Sequence, residues 1–128
     1  MHIYLAQFLP NVLCVAPPSG TCFYHGKVFC NELGDELVEI ETSAENEFIR
    51  QNLVSVTHSK SWIGMTDIDQ EGVWVWASTG IEAVFIDWHP SQPNNYLAAP
   101  CAAIWEFYEY RWVDEPCTEL FHPICEQE

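Results

Sequence analysis

The chain has 128 residues, 48% of them hydrophobic, so one domain spanning 1–128 with a real core is the expected organisation. Four Lys and Arg stand against 19 Asp and Glu, a formal net charge of −15. That balance argues against nucleic acid, heparin-like polymers and anionic membrane surfaces, which all need a positive face, and leaves neutral ligands, cations or basic partners. The ordinary reading of the acidity is solubility in a secreted fluid. Six cysteines, Cys14, Cys22, Cys30, Cys101, Cys117 and Cys125, are widely spaced with no CxxC pair. This suits disulfides better than zinc and implies an oxidising, extracytoplasmic compartment. No apolar run reaches membrane-spanning length, so membrane insertion is not expected. The segment from Met1 to Ala16 lacks a basic start and is interrupted by Pro10 and Asn11, so it reads as part of the fold. No N-x-Ser/Thr acceptor is present.

In chain order, Ile3 to Leu9 reads as a strand stopped by Pro10, with residues 1–13 as an N-terminal extension. Cys14 and Cys22 enclose Pro17-Pro18-Ser19-Gly20, a turn. A Cys14–Cys22 bridge would staple it as a hairpin; the alternative is that one of the two reaches another chain. His25 to Leu33 predicts a short helix with Val28, Phe29 and Leu33 inward, ended by Gly34. Leu37 to Ile40 predicts a strand. Thr42-Ser43-Ala44-Glu45 is a capping box opening a helix whose apolar face is Phe48, Ile49, Leu53 and Val54. Ser61 to Met65 reads as a core strand in which Gly64 signals a close backbone approach. Asp67, Asp69 and Glu71 follow in a solvated acidic turn ending at Gly72, and Val73 to Trp76 is a short aromatic strand. Ala102 to Trp105, an aromatic-rich hairpin from Phe107 to Trp112, and His122 to Cys125 complete a small α+β domain with two short helices and small antiparallel sheets.

One stretch does not read as scaffold. Between Trp88 and Cys101 lie three prolines, three amides and no glycine, the composition of a long, shaped surface loop. A small domain tolerates such a loop mainly when it is functional. Gln92-Pro93-Asn94 sets two side-chain carbonyls on either side of one proline. A cis Gln92–Pro93 bond would let both converge on one ligand. Asn95 and Tyr96 adjoin them, and Trp112 and Asp114 would close the site from a following strand.

Several of these segments resemble one family. Trp62-Ile63-Gly64-Met65 resembles the "WIGL" strand of C-type lectin-like domains, and Gly72-Val73-Trp74-Val75-Trp76 the "G-x-W-x-W" after it. Gln92-Pro93-Asn94 resembles the family's sugar-specificity motif, Trp112-Val113-Asp114 its "W-N-D", and Pro123-Ile124-Cys125-Glu126 its "x-I-C-E". The resemblance implies a C-type lectin-like fold, a Cys30–Cys125 bridge joining the first helix to the last strand, and a Cys101–Cys117 bridge fastening the ligand loop. The interval from Cys22 to Cys30 is shorter than usual for the family.

The resemblance also implies a calcium ion shared between protein and sugar hydroxyls. Matched residue by residue, Gln92, Asn94 and Asp114 remain as candidate calcium ligands. Ala98-Ala99-Pro100 stands where a carboxylate is usual, and Val113 where an Asn is usual. Calcium takes six to eight oxygens, several of them charged. Ca2+ is therefore expected to be weak or not required. Asp67 and Glu71 match the first two ligands of an auxiliary site, whose acidic pair is replaced by Ala99 and Pro100.

Sugar can bind without the ion. Gln92, Asn94, Asn95 and Asp114 offer donors and acceptors, and Tyr96, Tyr108, Tyr110 and Trp112 are candidate stacking rings. Trp62, Trp74, Trp76, Trp88 and Trp105 read as core, and Trp112 reads more as structural than as a ligand surface, because the family that the chain resembles buries much of it. The five histidines show no metal-ligand spacing, and Glu106 with Glu109 reads as structural acid on a hairpin, so no enzyme is expected.

The leading expectation is a secreted lectin, similar to soluble invertebrate lectins of innate defence or symbiont recognition. Its ligands would be neutral glycans, mannose-like or galactose-like (N-acetylhexosamine included). A homodimer through the Met1–Leu13 extension would add avidity. The alternative is an interaction module of the same fold without sugar binding, using the loop face against a basic protein. A third reading is adsorption to mineral or ice.

Overall fold

The fold grows outward from one strand buried on both faces. The computed structural model describes residues 2–5, 15–16, 20–54, 60–94 and 96–127. In chain order these form strands β1 (His2–Leu5), β2 (Val15–Ala16) and β3 (Gly20–Thr21), helix α1 (Phe23–Glu32), strand β4 (Glu36–Leu37), helix α2 (Ser43–Leu53), and strands β5 (Lys60–Thr66), β6 (Val75–Trp76), β7 (Cys101–Trp105), β8 (Arg111–Glu115) and β9 (His122–Gln127). Short 3-10 turns occupy Tyr96–Ala98 and Glu106–Tyr108. The main sheet runs β1-β9-β5-β7-β8, with β4 also on β9 and β6 on β5, while β2 and β3 form a separate hairpin.

Strand β5 sits at the centre because it is apolar on both sides. Trp62 joins one core cluster with Phe23, Phe29, Leu37, Ala103 and Val113. Ile63 and Met65 join the other, with Ile49, Leu53, Ala102, Ile104, Trp112 and Ile124. Successive residues of β7, β8 and β9 divide between the same two clusters, as the two-residue period of a strand requires. Helix α1 covers the first face and α2 the second. The β5–β9 pairing is parallel, Ser61 with His122 and Trp62 with Pro123, so the sheet is mixed where a purely antiparallel one was expected.

Local chemistry sets the helix ends. Thr42 caps α2: its hydroxyl accepts from the Glu45 N–H at 3.1 Å, and the Glu45 carboxylate reaches back to accept from the Glu41 N–H at 3.2 Å. Helix α1 ends in a turn with Gly34 at φ +81°. There the Gly34 N–H donates to the Asn31 carbonyl and the Asp35 N–H to the Cys30 carbonyl. Gly64 is required by space: a Cβ there would lie 2.9 Å from the Leu37 carbonyl oxygen.

Three expected apolar contacts are displaced. Leu33 is exposed because it is the C-cap residue, where the chain leaves the helix. Phe48 and Val54 are exposed because each stands one residue, about 100° of helical rotation, from the buried Ile49 and Leu53. The expected strand at Leu37–Ile40 pairs only at Glu36–Leu37. Val38 instead bridges two strands, its N–H donating to Ile124 and its carbonyl accepting from Gly64. The aromatic strand from Val73 shortens to Val75–Trp76, since the Val73 N–H closes a turn onto the Gln70 carbonyl. Strand β1 pairs with β9 of its own chain, His2 opposite Gln127, and residues 6–14 lie outside the described residues.

Two disulfides close as the resemblance implied, Cys30–Cys125 and Cys101–Cys117. The Cys14–Cys22 pair includes Cys14, which lies outside the described residues; β2 and β3 do pair antiparallel, Val15 with Thr21. The two described bridges span 95 and 16 residues. In the chain-entropy model these loops are worth about 4–5 and about 3 kcal/mol. Replacing Cys30 and Cys125 by Ser is expected to lower the unfolding free energy more than replacing Cys101 and Cys117. Denaturant titration of the two double variants measures the difference.

Candidate functional site

The site is built on the outer edge of β8. Its main chain exchanges hydrogen bonds with the loop ahead of it: the Trp112 N–H donates to the Asp87 carbonyl, and the His89 N–H to the Trp112 carbonyl, each at 3.0 Å. The loop thus begins as a short parallel partner of β8, and Trp88 bridges Trp112. Past His89 side chains take over. The Asp114 N–H donates to Gln92 Oε1 at 3.3 Å, and the Asn94 N–H donates to both Asp114 carboxylate oxygens at 3.1 Å. The Gln92–Pro93 peptide between them is cis. Gln92, Asn94 and Asp114 are therefore brought together, Asn94 exposed, Gln92 half-buried and Asp114 buried. Asn95 and the Tyr96 side chain lie outside the described residues.

Of its two expected roles, Trp112 takes the structural one and not the stacking one. It is fully buried and packs edge-on against Trp76, Phe85 and Trp88, so it presents no face to a ligand. Its indole N–H donates to Asn46 Oδ1 at 3.2 Å, and Asn46 Nδ2 donates to Asp87 Oδ2 at 2.8 Å. Asn46 was missed by sequence reasoning, although a signal existed: it shares the inner stripe of α2 with Ile49 and Leu53, where an amide demands a partner. Tyr108 and Tyr110 are half-buried.

On the Pro93 side of the loop, a cavity of about 240 Å3 is lined by Asp67, Glu71, Gly72, Trp74, Pro93 and Asp114. Asp67 is not solvated as expected but 4% exposed. Its Oδ2 accepts the Gly72 N–H at 2.9 Å, while buried Oδ1 meets no donor among the described residues. A hydrogen bond to the Asp67 carboxyl, then partial desolvation, then repulsion from Asp67, raise the pKa of exposed Glu71 above its ordinary 4.5.

Gln92, Asn94 and Asp114 are the candidate ligand residues that the loop and β8 bring together. Ala99 and Val113, at the two positions where an oxygen ligand is usual in the family, are buried and carry none. Gln92 Oε1 and both Asp114 oxygens are engaged by backbone N–H groups. Among the described residues no group of three or more His, Cys, Asp and Glu is placed to hold a metal. No helix among them is long and apolar enough to cross a membrane.

The family model of the Lectin C-type domain matches residues 19–127. The chain belongs to the C-type lectin domain family. As a C-type lectin domain it is 32% identical over 111 residues to a perlucin-like protein of Mytilus galloprovincialis, covering 84% of this chain and 71% of that one. It is 35% identical over 103 residues to human C-type mannose receptor 2, of whose length it spans only 7%. Among solved structures, the carbohydrate-recognition domain of the mouse scavenger receptor C-type lectin matches with a TM-score of 0.75 and 31% identity, covering 84% of this chain and 82% of that one. The cow CD23 domain, solved in the presence of a GlcNAc2Man3 oligosaccharide, matches at 0.73 with 25% identity, covering 85% and 82%.

Two outcomes follow for this C-type lectin domain. Asn46→Ala leaves the buried indole N–H without its acceptor and is expected to cost about 1–3 kcal/mol, read by denaturant titration. For Glu71, the raised pKa means the folded state holds a proton that the unfolded state has released. That contribution to stability is complete below pH 4.5 and is lost as pH rises through the folded value. Glu71→Gln is therefore expected to raise the melting temperature more at pH 7 than at pH 4, in EDTA at both.

Proposed function

We propose that this domain is a secreted lectin that binds neutral glycans through Gln92, Asn94 and Asp114, with Asn95 and Tyr96 beside them and with calcium weak or unnecessary. The observation that carries this reading is the pairing of Gln92 and Asn94 with Asp114, which fixes the loop before any ligand arrives. A preformed rim loses little entropy on binding. Exposed Asn94 offers a carbonyl and two N–H donors to neighbouring hydroxyls, the pattern that a vicinal diol matches. The recognition of carbohydrate named for the mouse structure and the oligosaccharide named for the cow one support a glycan as the ligand class. The net charge of −15 favours neutral glycans over acidic ones. The disulfides support an extracellular setting, and innate recognition is the role such a lectin would serve. Nothing in this chemistry calls for a reaction step, so binding alone is proposed. Pairing of domains would raise avidity.

The calcium part of the proposal rests on Ala99, Val113 and the engaged oxygens of Gln92 and Asp114. A glycan array run with calcium and again with EDTA is expected to give matching signals, and loss of signal in EDTA would overturn the ion-independent reading. Asn94→Ala is expected to abolish those signals at an unchanged melting temperature. Unaltered binding in that variant would remove the loop as the site.

The same buried Ala99 and Val113 favour one second reading, a module that docks a basic protein on the loop face. Binding indifferent to free sugar and lost at raised salt would select it.

A further inference from the structure

The loop has a second side. Opposite the carboxylate cavity, His89 and Pro90 join Phe107, Tyr108, Glu109 and Arg111 around an open cavity of about 320 Å3. Its floor is aromatic. The His89 and Tyr108 rings stack with centroids 3.8 Å apart and planes 19° from parallel. Tyr108 leans on Trp105 at 4.4 Å, and Phe107 stands at the rim, 77% exposed. The His89 ring is fixed from behind, with Nδ1 accepting the Ser91 N–H at 3.2 Å and lying 2.8 Å from the Ser91 hydroxyl.

The turn carrying these rings is strained. Glu109 and Tyr110 both adopt left-handed backbone, φ +56° and +65°, in a hairpin where glycine or asparagine is usual. Such strain persists only where the surroundings over-determine it, and it collects at binding surfaces. Here it holds the turn beside the Tyr108 ring.

We propose that this cavity is a second saccharide subsite, taking a further neutral pyranose of the same glycan that the Gln92-Pro93-Asn94 loop holds. The inference rests on the sugar-binding reading. A pyranose presents an apolar C–H face to the aromatic floor, while its hydroxyls accept from Arg111 and donate to Glu109. Glu106 and Glu109 disfavour an acidic sugar. The two subsites are continuous: the Gln92 N–H donates to the His89 carbonyl at 2.7 Å, so one tight turn joins them. Arg111 stands three residues from Asp114 on β8, about 10 Å at the rise of a strand. A glycan of at least two residues reaches both. The subsite would supply affinity that the loop does not draw from calcium.

The test is titration calorimetry of the full chain with methyl α-mannoside, methyl β-galactoside and their linear di- and trisaccharides, using wild type, Phe107→Ala and Asn94→Ala. The readout is the ratio of oligosaccharide to monosaccharide affinity. Wild type is expected to favour the longer ligand by about tenfold, and Phe107→Ala to lose most of that ratio. A ratio kept intact in Phe107→Ala, with binding lost in Asn94→Ala, overturns the subsite and leaves the loop reading standing. The ratio lost in Phe107→Ala with binding kept in Asn94→Ala overturns the loop reading and, with it, the proposal that the two subsites share one glycan. No binding of any of these sugars by wild type overturns both.

Discussion

A buried indole must have somewhere to put its N–H, and the candidate site is arranged around how Trp112 meets that demand. The bond to Asn46, continued to Asp87, ties helix α2, strand β8 and the root of the loop into one chain of hydrogen bonds. The backbone of the same tryptophan engages the loop on both sides, through Asp87 and His89. Because the ring fills the core while its backbone steers the loop, core packing and the course of the loop depend on one residue. The loop can lack regular structure and still be held to a fixed course.

Features governed by near neighbours were legible in the sequence. The Thr42 cap, the turn at Gly34, the close approach at Gly64 and the two central disulfides each depend on a few adjacent residues or on a family pattern. The cis Gln92–Pro93 bond that the motif suggested is present, but the groups that meet Asp114 are the Gln92 side chain and the Asn94 backbone N–H. What was not legible depends on distant groups. Nothing local tells that Asp67 sinks to 4% exposure, or which groups Asn46 meets across the core. An acidic turn looks solvated until the Gly72 N–H and the Pro100 carbonyl, which accepts the Asp67 N–H, are seen to enclose it.

The replacement of oxygen ligands at Ala99 and Val113 has a structural counterpart. Both positions are buried, and Val113 packs in the cluster of Trp62, Phe23 and Phe29. A polar side chain there would need a partner to offset its desolvation. Beside these positions, the Asp114 N–H donates to Gln92 Oε1 and the Asn94 N–H donates to the Asp114 carboxylate. These hydrogen bonds within the chain give the loop its course beside β8.

The order of strands also separates the loop from the first strand. His2 lies opposite Gln127 on β1 and β9, at one margin of the main sheet, while the loop borders β8 at the other margin. At about 4.8 Å per strand step, four steps put nearly 20 Å between β1 and β8. Three strands, β9, β5 and β7, lie between β1 and β8, so the pairing that holds the first strand and the pairing that holds the loop share no hydrogen bond.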